Sequence, residues 1–157
     1  MNEFTSKKLG EVLAFAIVGK EIFEKGKEAL VQVFESDGVV KIIEEIEKHI
    51  ATLTGLATTL NISEIAIPKS EKTSAKLREM LELYVSDQWH NPIELLEWLG
   101  FFEGAAIVHW KLVEGASKAI NDAALIELSR IGLEFHQNLL DDVSTKIQAV
   151  GATKSTT

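Results

Sequence analysis

Residues 91–120, NPIELLEWLGFFEGAAIVHWKLVEGASKAI, decide the fold class. Asn91, Pro92 and Glu94 form a strong helix start, because asparagine caps a helix, proline fits its first turn and an early glutamate completes the cap. Most of the residues from there to Ile120 are apolar, and no proline or turn signal interrupts them. The stretch therefore predicts one long helix over 92–120.

This helix is apolar over more than half of its circumference. Its narrow polar strip repeats every seven residues and consists of Glu97, Gly104, Lys111 and Lys118. Glu103 and Glu114 are expected at the border of that strip. A helix with such a wide apolar arc needs more than the usual two neighbours to cover it. The cover is either the preceding segment or a second subunit, so the pattern predicts a homo-oligomer, a dimer, formed through helix 92–120.

Four other segments carry apolar residues at helical spacing. Residues 5–35, 39–60 and 122–150 each have an apolar seam at alternating intervals of three and four, which is typical of packed bundle helices. Residues 71–85 have only a narrow apolar stripe and predict a shorter helix on the outside of the bundle. Residues 61–70 precede it and are expected to form a loop, because Pro68 lies near their end.

The layout predicts an all-α fold, specifically an antiparallel four-helix bundle with a short fifth helix in the long middle connection. One domain is expected over residues 1–150. Residues 151–157 are small and polar, and this composition predicts a disordered C-terminal tail.

Composition and charge limit the classes of partner. The chain has 157 residues, a net charge of −8 and no cysteine. The negative charge argues against nucleic acid and against an anionic membrane surface, because both require a basic patch. No run of 18 apolar residues and no signal-peptide pattern are present, so a cytoplasmic protein is expected.

Three of the four histidines fall on apolar helical faces. His49, His109 and His136 lie at roughly similar heights in the predicted bundle, about 18 to 22 Å from the nearest turns. Three converging imidazoles would bind a metal ion, with zinc or iron as the natural candidates. The alternative is that each histidine lies at the edge of the core and bonds to a neighbour. No Glu-x-x-His motif exists, which argues against the di-metal site of ferritin-like bundles.

Aromatic residues concentrate in the same long helix. Trp98, Phe101, Phe102 and Trp110 cannot all face one core, so they indicate either a subunit interface or an apolar ligand pocket. The pocket hypothesis adds Phe23 and supposes that Gly19 and Gly26 leave space beside it. These five aromatic residues are the candidate ligand or interface residues: Trp98, Phe101, Phe102, Trp110 and Phe23.

No common catalytic motif is present. The sequence lacks a phosphate-binding glycine loop, a His-Glu-x-x-His zinc motif and a Gly-x-Ser-x-Gly nucleophile turn. The leading hypothesis is therefore a non-enzymatic, oligomeric helical-bundle protein that acts through protein–protein interaction. The two alternatives are a metal-binding bundle that uses the buried histidines and a carrier of a small apolar ligand.

Overall fold

The computed structural model describes residues 1–157 and is all-helical, with six helices and no strand. The helices are α1 (Glu3–Lys25), α2 (Lys27–Phe34), α3 (Ser36–Thr59), α4 (Ser63–Val85), α5 (Pro92–Ala119) and α6 (Ala123–Ser155). None of them combines the length and the apolar character that a membrane-spanning segment needs.

The two C-terminal helices begin where the sequence predicts. The Asn91 side chain accepts a hydrogen bond from the backbone N–H of Ile93 at 3.1 Å, and Asp122 accepts one from Leu125 at 3.0 Å. Both caps satisfy backbone groups that a helix start leaves without partners. α6 continues to Ser155, so it includes most of the residues expected in the tail.

The helix expected over 5–35 is divided into α1 and α2 at Gly26. A Cβ atom at Gly26 would lie 2.9 Å from the Leu95 side chain, so the glycine lets α5 approach closely. Glycine is also a common point for a helix to change direction. α3 begins at Ser36, three residues before the expected start at residue 39, so Gly38 lies inside this helix.

The middle connection is more helical than the sequence pattern indicates. α4 begins at Ser63 rather than near residue 71, and it contains Pro68. Proline removes one helical hydrogen bond, but Ala66 and Ser70 on either side of it are buried. The backbone of Ala66 packs directly on Gly10 of α1. This close packing offsets the loss at Pro68, and the expected short helix is a long one of 23 residues.

α1 occupies a central position, because it packs against α3, α4 and α5, while α6 packs mainly on α5. The buried apolar side chains form two separate clusters along the helices. On α3, Ile46 belongs to one cluster and Leu53 to the other, with His49 between them. His136 occupies the same boundary on α6. On α3 and α6 a buried histidine therefore lies at the boundary between the two apolar clusters.

Candidate functional site

One face of α5 is apolar and open to solvent. The side chains of Phe101, Val108 and Leu112 are 64%, 62% and 43% exposed. They follow one another at seven and four residues, a spacing that places them on the same side of a helix. Such exposure is uncommon for three large apolar residues on one side of a helix. We call these three residues the α5 stripe.

Two glycines lie on the same side of α5. A Cβ atom added at Gly104 or Gly115 would meet no atom within 4 Å. The internal packing of the chain therefore does not require a glycine at either position. Each glycine leaves a notch in the helix surface beside the α5 stripe.

The α5 stripe continues into a shallow crevice between α4 and α5. The crevice has a volume of about 360 Å³ and is lined by Met80, Leu83, Tyr84, Trp98 and Phe101. The Tyr84 ring lies 5.4 Å from the Phe101 ring and 5.7 Å from the Trp98 ring, measured between centroids. Leu83 is 85% exposed at the rim. α4 thus covers Trp98 and leaves Phe101 open.

The other aromatic candidates lie in the core. Phe23, Phe102 and Trp110 are almost fully buried. The Phe102 ring lies 3.4 Å from the Cβ position of Gly19, and the Leu95 side chain lies 2.9 Å from that of Gly26. The space expected beside these two glycines is therefore occupied by core side chains.

A buried pair of polar side chains, Glu103 and His136, links α5 to α6. Nδ1 of His136 donates to Oε2 of Glu103 at 2.5 Å, and both side chains are less than 6% exposed. Burying a carboxylate is strongly unfavourable unless it has a partner, and the imidazole provides one. The pair is closed to solvent, so it has no substrate within reach.

His49 lies next to this pair but does not complete it. Its ring centroid is 6.5 Å from that of His136 and 4.9 Å from that of Phe135. Its Nε2 atom has no hydrogen-bond partner and lies 3.6 Å from a carboxylate oxygen of Glu45. Burial, reinforced by the neighbouring His136, lowers the pKa of His49 to about 4, while Glu45 opposes this shift.

His109 belongs to a different part of the molecule. Its Nδ1 atom donates to the backbone carbonyl of Ala105 at 2.8 Å, and its ring packs on Phe15 with centroids 4.8 Å apart. Its Nε2 atom faces Glu11 of α1 at 3.7 Å. Glu11 is buried and is also paired with Lys8 and Lys69. This network joins α1, α4 and α5 at the edge of the core.

The three histidines proposed as metal ligands are therefore divided between two places. His49 and His136 are neighbours, whereas His109 bonds to its own helix and to α1. No group of three or more histidine, aspartate or glutamate side chains is placed to hold a metal ion. Each of these histidines contacts carbonyl, carboxylate or aromatic neighbours, as expected for histidines at the edge of a core.

Glu103 is the polar residue that the sequence interpretation placed wrongly. It was expected at the border of the polar strip of α5, but its side chain is 2% exposed and faces α6. A signal for this burial was present, because Glu103, Ala106, Trp110 and Val113 share one seam at intervals of three and four. Phe101, one of the candidate ligand or interface residues, is 64% exposed, whereas Trp98 is buried.

The buried polar groups and the exposed apolar face are separate features of the chain. The crevice is lined by five large apolar or aromatic side chains, and the hydroxyl of one of them, Tyr84, donates to Glu97 at 3.3 Å. The α5 stripe and the crevice offer mainly apolar contacts to a binding partner. Comparison with protein-family models, with curated proteins and with solved structures finds no match.

Proposed function

We propose that this chain is a non-enzymatic, self-associating helical-bundle protein, and that the outer face of α5 is the surface through which it binds another copy. In this interpretation α1, α3, α5 and α6 form an antiparallel four-helix core with α4 packed on its side. A cytoplasmic location is part of the proposal and is based on the cysteine-free composition.

The observation that carries the proposal is the exposure of the α5 stripe. Phe101 and Val108 are each more than 60% exposed, although α5 also contributes Leu95, Leu99 and Trp110 to the core. Exposed apolar area of this kind is unfavourable in water unless another surface covers it. Large aromatic and aliphatic side chains also supply most of the binding energy in protein interfaces.

The adjoining crevice extends this surface beyond one helix. Phe101 belongs both to the α5 stripe and to the crevice wall, and Leu83 and Met80 continue the apolar surface onto α4. The exposed apolar area is thus continuous across two elements. Continuity matters because isolated apolar residues are common on monomers, whereas contiguous patches are typical of interaction sites.

Sedimentation equilibrium tests the proposal directly. The unmodified chain should form a dimer at concentrations of about 10 to 100 µM. Val108→Glu should weaken the dimer at least tenfold, because it places a charge in the middle of the stripe. Val40→Glu is the matched control, since Val40 is exposed on α3 away from this surface. An unmodified chain that stays monomeric at about 100 µM would overturn the proposal.

A second candidate function is the carriage of a small apolar ligand in the crevice. Its volume of about 360 Å³ and its wholly apolar walls favour this alternative, since ligand pockets are commonly lined in this way. Trp98 lines the crevice, so its fluorescence should change when a fatty-acid-like molecule binds. The same titration of Trp98→Phe is the control, and an unchanged spectrum of the unmodified chain would exclude this function.

A further inference from the structure

We infer that two copies pair through α5 in antiparallel orientation, with Val108 of both copies at the two-fold axis. This inference rests on the proposed self-association and specifies how the two copies meet. It follows from three properties of the outer face of α5, which are the positions of its large residues, the positions of its glycines and the distribution of its charges.

The large and small residues are arranged symmetrically about Val108. Phe101 and Gly115 lie seven residues before and after it, and Gly104 and Leu112 lie four residues before and after it. All of them fall within about 40° of Val108 on a helical wheel. An antiparallel pair centred at Val108 therefore places Phe101 opposite Gly115 of the partner subunit and Leu112 opposite Gly104 of the partner subunit. Each large side chain then meets a notch.

The glycines themselves argue for close approach from outside. Glycine in a helix interior is unfavourable by about 1 kcal/mol relative to alanine. At Gly19 and Gly132 a core ring occupies the space beside the glycine. At Gly104 and Gly115 nothing in the chain occupies it, and the same is true of Gly100 on α5 and Gly55 on α3. Gly104 and Gly115 differ from these two because they lie within about 40° of Val108 on the helical wheel, where a side chain of the partner subunit can enter the space.

Charge separates the antiparallel arrangement from the parallel one. Glu97 lies near the beginning of the exposed face, where it accepts a hydrogen bond from the Tyr84 hydroxyl at 3.3 Å. Lys118 lies near its end, at an almost equal distance from Val108, where it is paired with Glu114 of its own helix at 3.0 Å and keeps two further N–H donors. An antiparallel pair brings Glu97 close to Lys118 of the partner subunit, whereas a parallel pair sets each charge against its own kind. A parallel pair would also place Phe101 against Phe101 of the partner subunit and leave the glycine notches facing each other.

The size of the face sets the expected strength of the dimer. The distance from Glu97 to Lys118 along the helix is roughly 32 Å. A contact between two helices of this length is smaller than the standard interface of about 800 Å² per partner. We therefore expect a dissociation constant in the micromolar range, with Leu83 and Met80 of α4 adding contacts at the two ends.

Thiol cross-linking can test the arrangement, because the chain has no cysteine and each introduced cysteine is the only one. Val108→Cys should give a covalent dimer on oxidation, since the two-fold axis brings the two thiols together. Phe101→Cys and Leu112→Cys alone should not, because their two copies would lie roughly 21 Å and 12 Å apart along the axis. A mixture of Leu112→Cys and Gly104→Cys should give the mixed covalent dimer.

The outcomes distinguish the arrangement from the self-association itself. Cross-linking of Phe101→Cys with itself would establish a parallel pair and overturn the inference. A dimer in sedimentation that gives no cross-link at Val108→Cys would also overturn it, while leaving the proposed self-association intact. A chain that shows no dimer at all would contradict both the antiparallel arrangement and the proposed self-association. Val40→Cys is the control for random collision, because Val40 is exposed on another helix.

Exchanging the charges of Glu97 and Lys118 tests the antiparallel arrangement independently, through the affinity of the dimer. Glu97→Lys and Lys118→Glu should each weaken the dimer about fivefold, because two symmetry-related exposed ion pairs are lost. The double variant should recover the original affinity if the two charges face each other across the axis. Failure of the double variant to recover would count against the antiparallel pair.

Discussion

The imidazole of His136 on α6 is joined to the carboxylate of Glu103 on α5 by a 2.5 Å contact inside the bundle. Glu103→Leu should lower the free energy of unfolding by about 3 kcal/mol, because it leaves a buried imidazole without its partner. The double variant Glu103→Leu/His136→Leu should recover much of this loss, since two apolar side chains can replace a buried pair. Urea denaturation measures both.

The matched control for this pair is Glu127→Leu. Glu127 is exposed and paired with Arg130, so its removal should change the free energy of unfolding by less than about 1 kcal/mol. If Glu103→Leu/His136→Leu is as unstable as Glu103→Leu alone, α5 and α6 require the polar pair itself.

The low pKa of His49 predicts a dependence of stability on pH. The folded chain keeps His49 neutral down to about pH 4, whereas the unfolded chain protonates it near 6.5. The unfolded state therefore binds more protons in this window, and the free energy of unfolding falls as the pH drops from about 6.5 to about 4. The full effect is about 3 kcal/mol. His49→Phe should remove this component when urea titrations at both ends of the window are compared.

His90 provides the control for the pH experiment, because it is exposed near the start of α5. His90→Gln should leave the pH dependence of stability as it is in the unmodified chain. A dependence that persists unchanged in His49→Phe would show that His49 does not cause it.

Gly132 should not tolerate a side chain. A Cβ atom there would lie 2.5 Å from the Trp110 ring, which is fixed in the core. Gly132→Ala should therefore lower the free energy of unfolding by about 2 kcal/mol. Gly55→Ala on the exposed side of α3 should raise it by up to about 1 kcal/mol, because nothing lies beside Gly55. Equal effects at both positions in thermal unfolding would contradict the packing of Trp110.

Gly115→Ala should have opposite effects on folding and on self-association. The folded chain should gain up to about 1 kcal/mol, as with Gly55→Ala, because the position is open within one copy. The dimer should weaken about tenfold, since the added methyl group fills the notch that receives Phe101 of the partner subunit. Thermal unfolding at low concentration and sedimentation equilibrium measure the two effects separately.

Helical periodicity predicted the all-helical class because each long helix has a buried seam. The starts of α5 and α6 were also predictable, since Asn91 and Asp122 are residues whose short polar side chains cap helices. The start of α4 was not predictable from local signals. Pro68 suggested a break, and the contact between Ala66 and Gly10 that overrides it joins residues far apart in the chain.

The candidate surface was predictable only in part. The width of the apolar arc on α5 indicated that Phe101 needed another covering surface, and the structure leaves it open. The same arc did not reveal that α4 would cover Trp98, because the extent of α4 had been underestimated. Glu103 was assigned by its charge to the surface, although its position in the helical seam placed it inside.

The buried pair of His136 and Glu103 also limits how far α6 can slide along α5. A shift of α6 along α5 by one turn, about 5.4 Å, would separate His136 from Glu103 and leave a buried carboxylate without a partner. Apolar side chains alone would distinguish such shifted packings much less sharply. The pair thus selects one lengthwise alignment of α6 on α5, the helix whose other side displays Phe101, Val108 and Leu112.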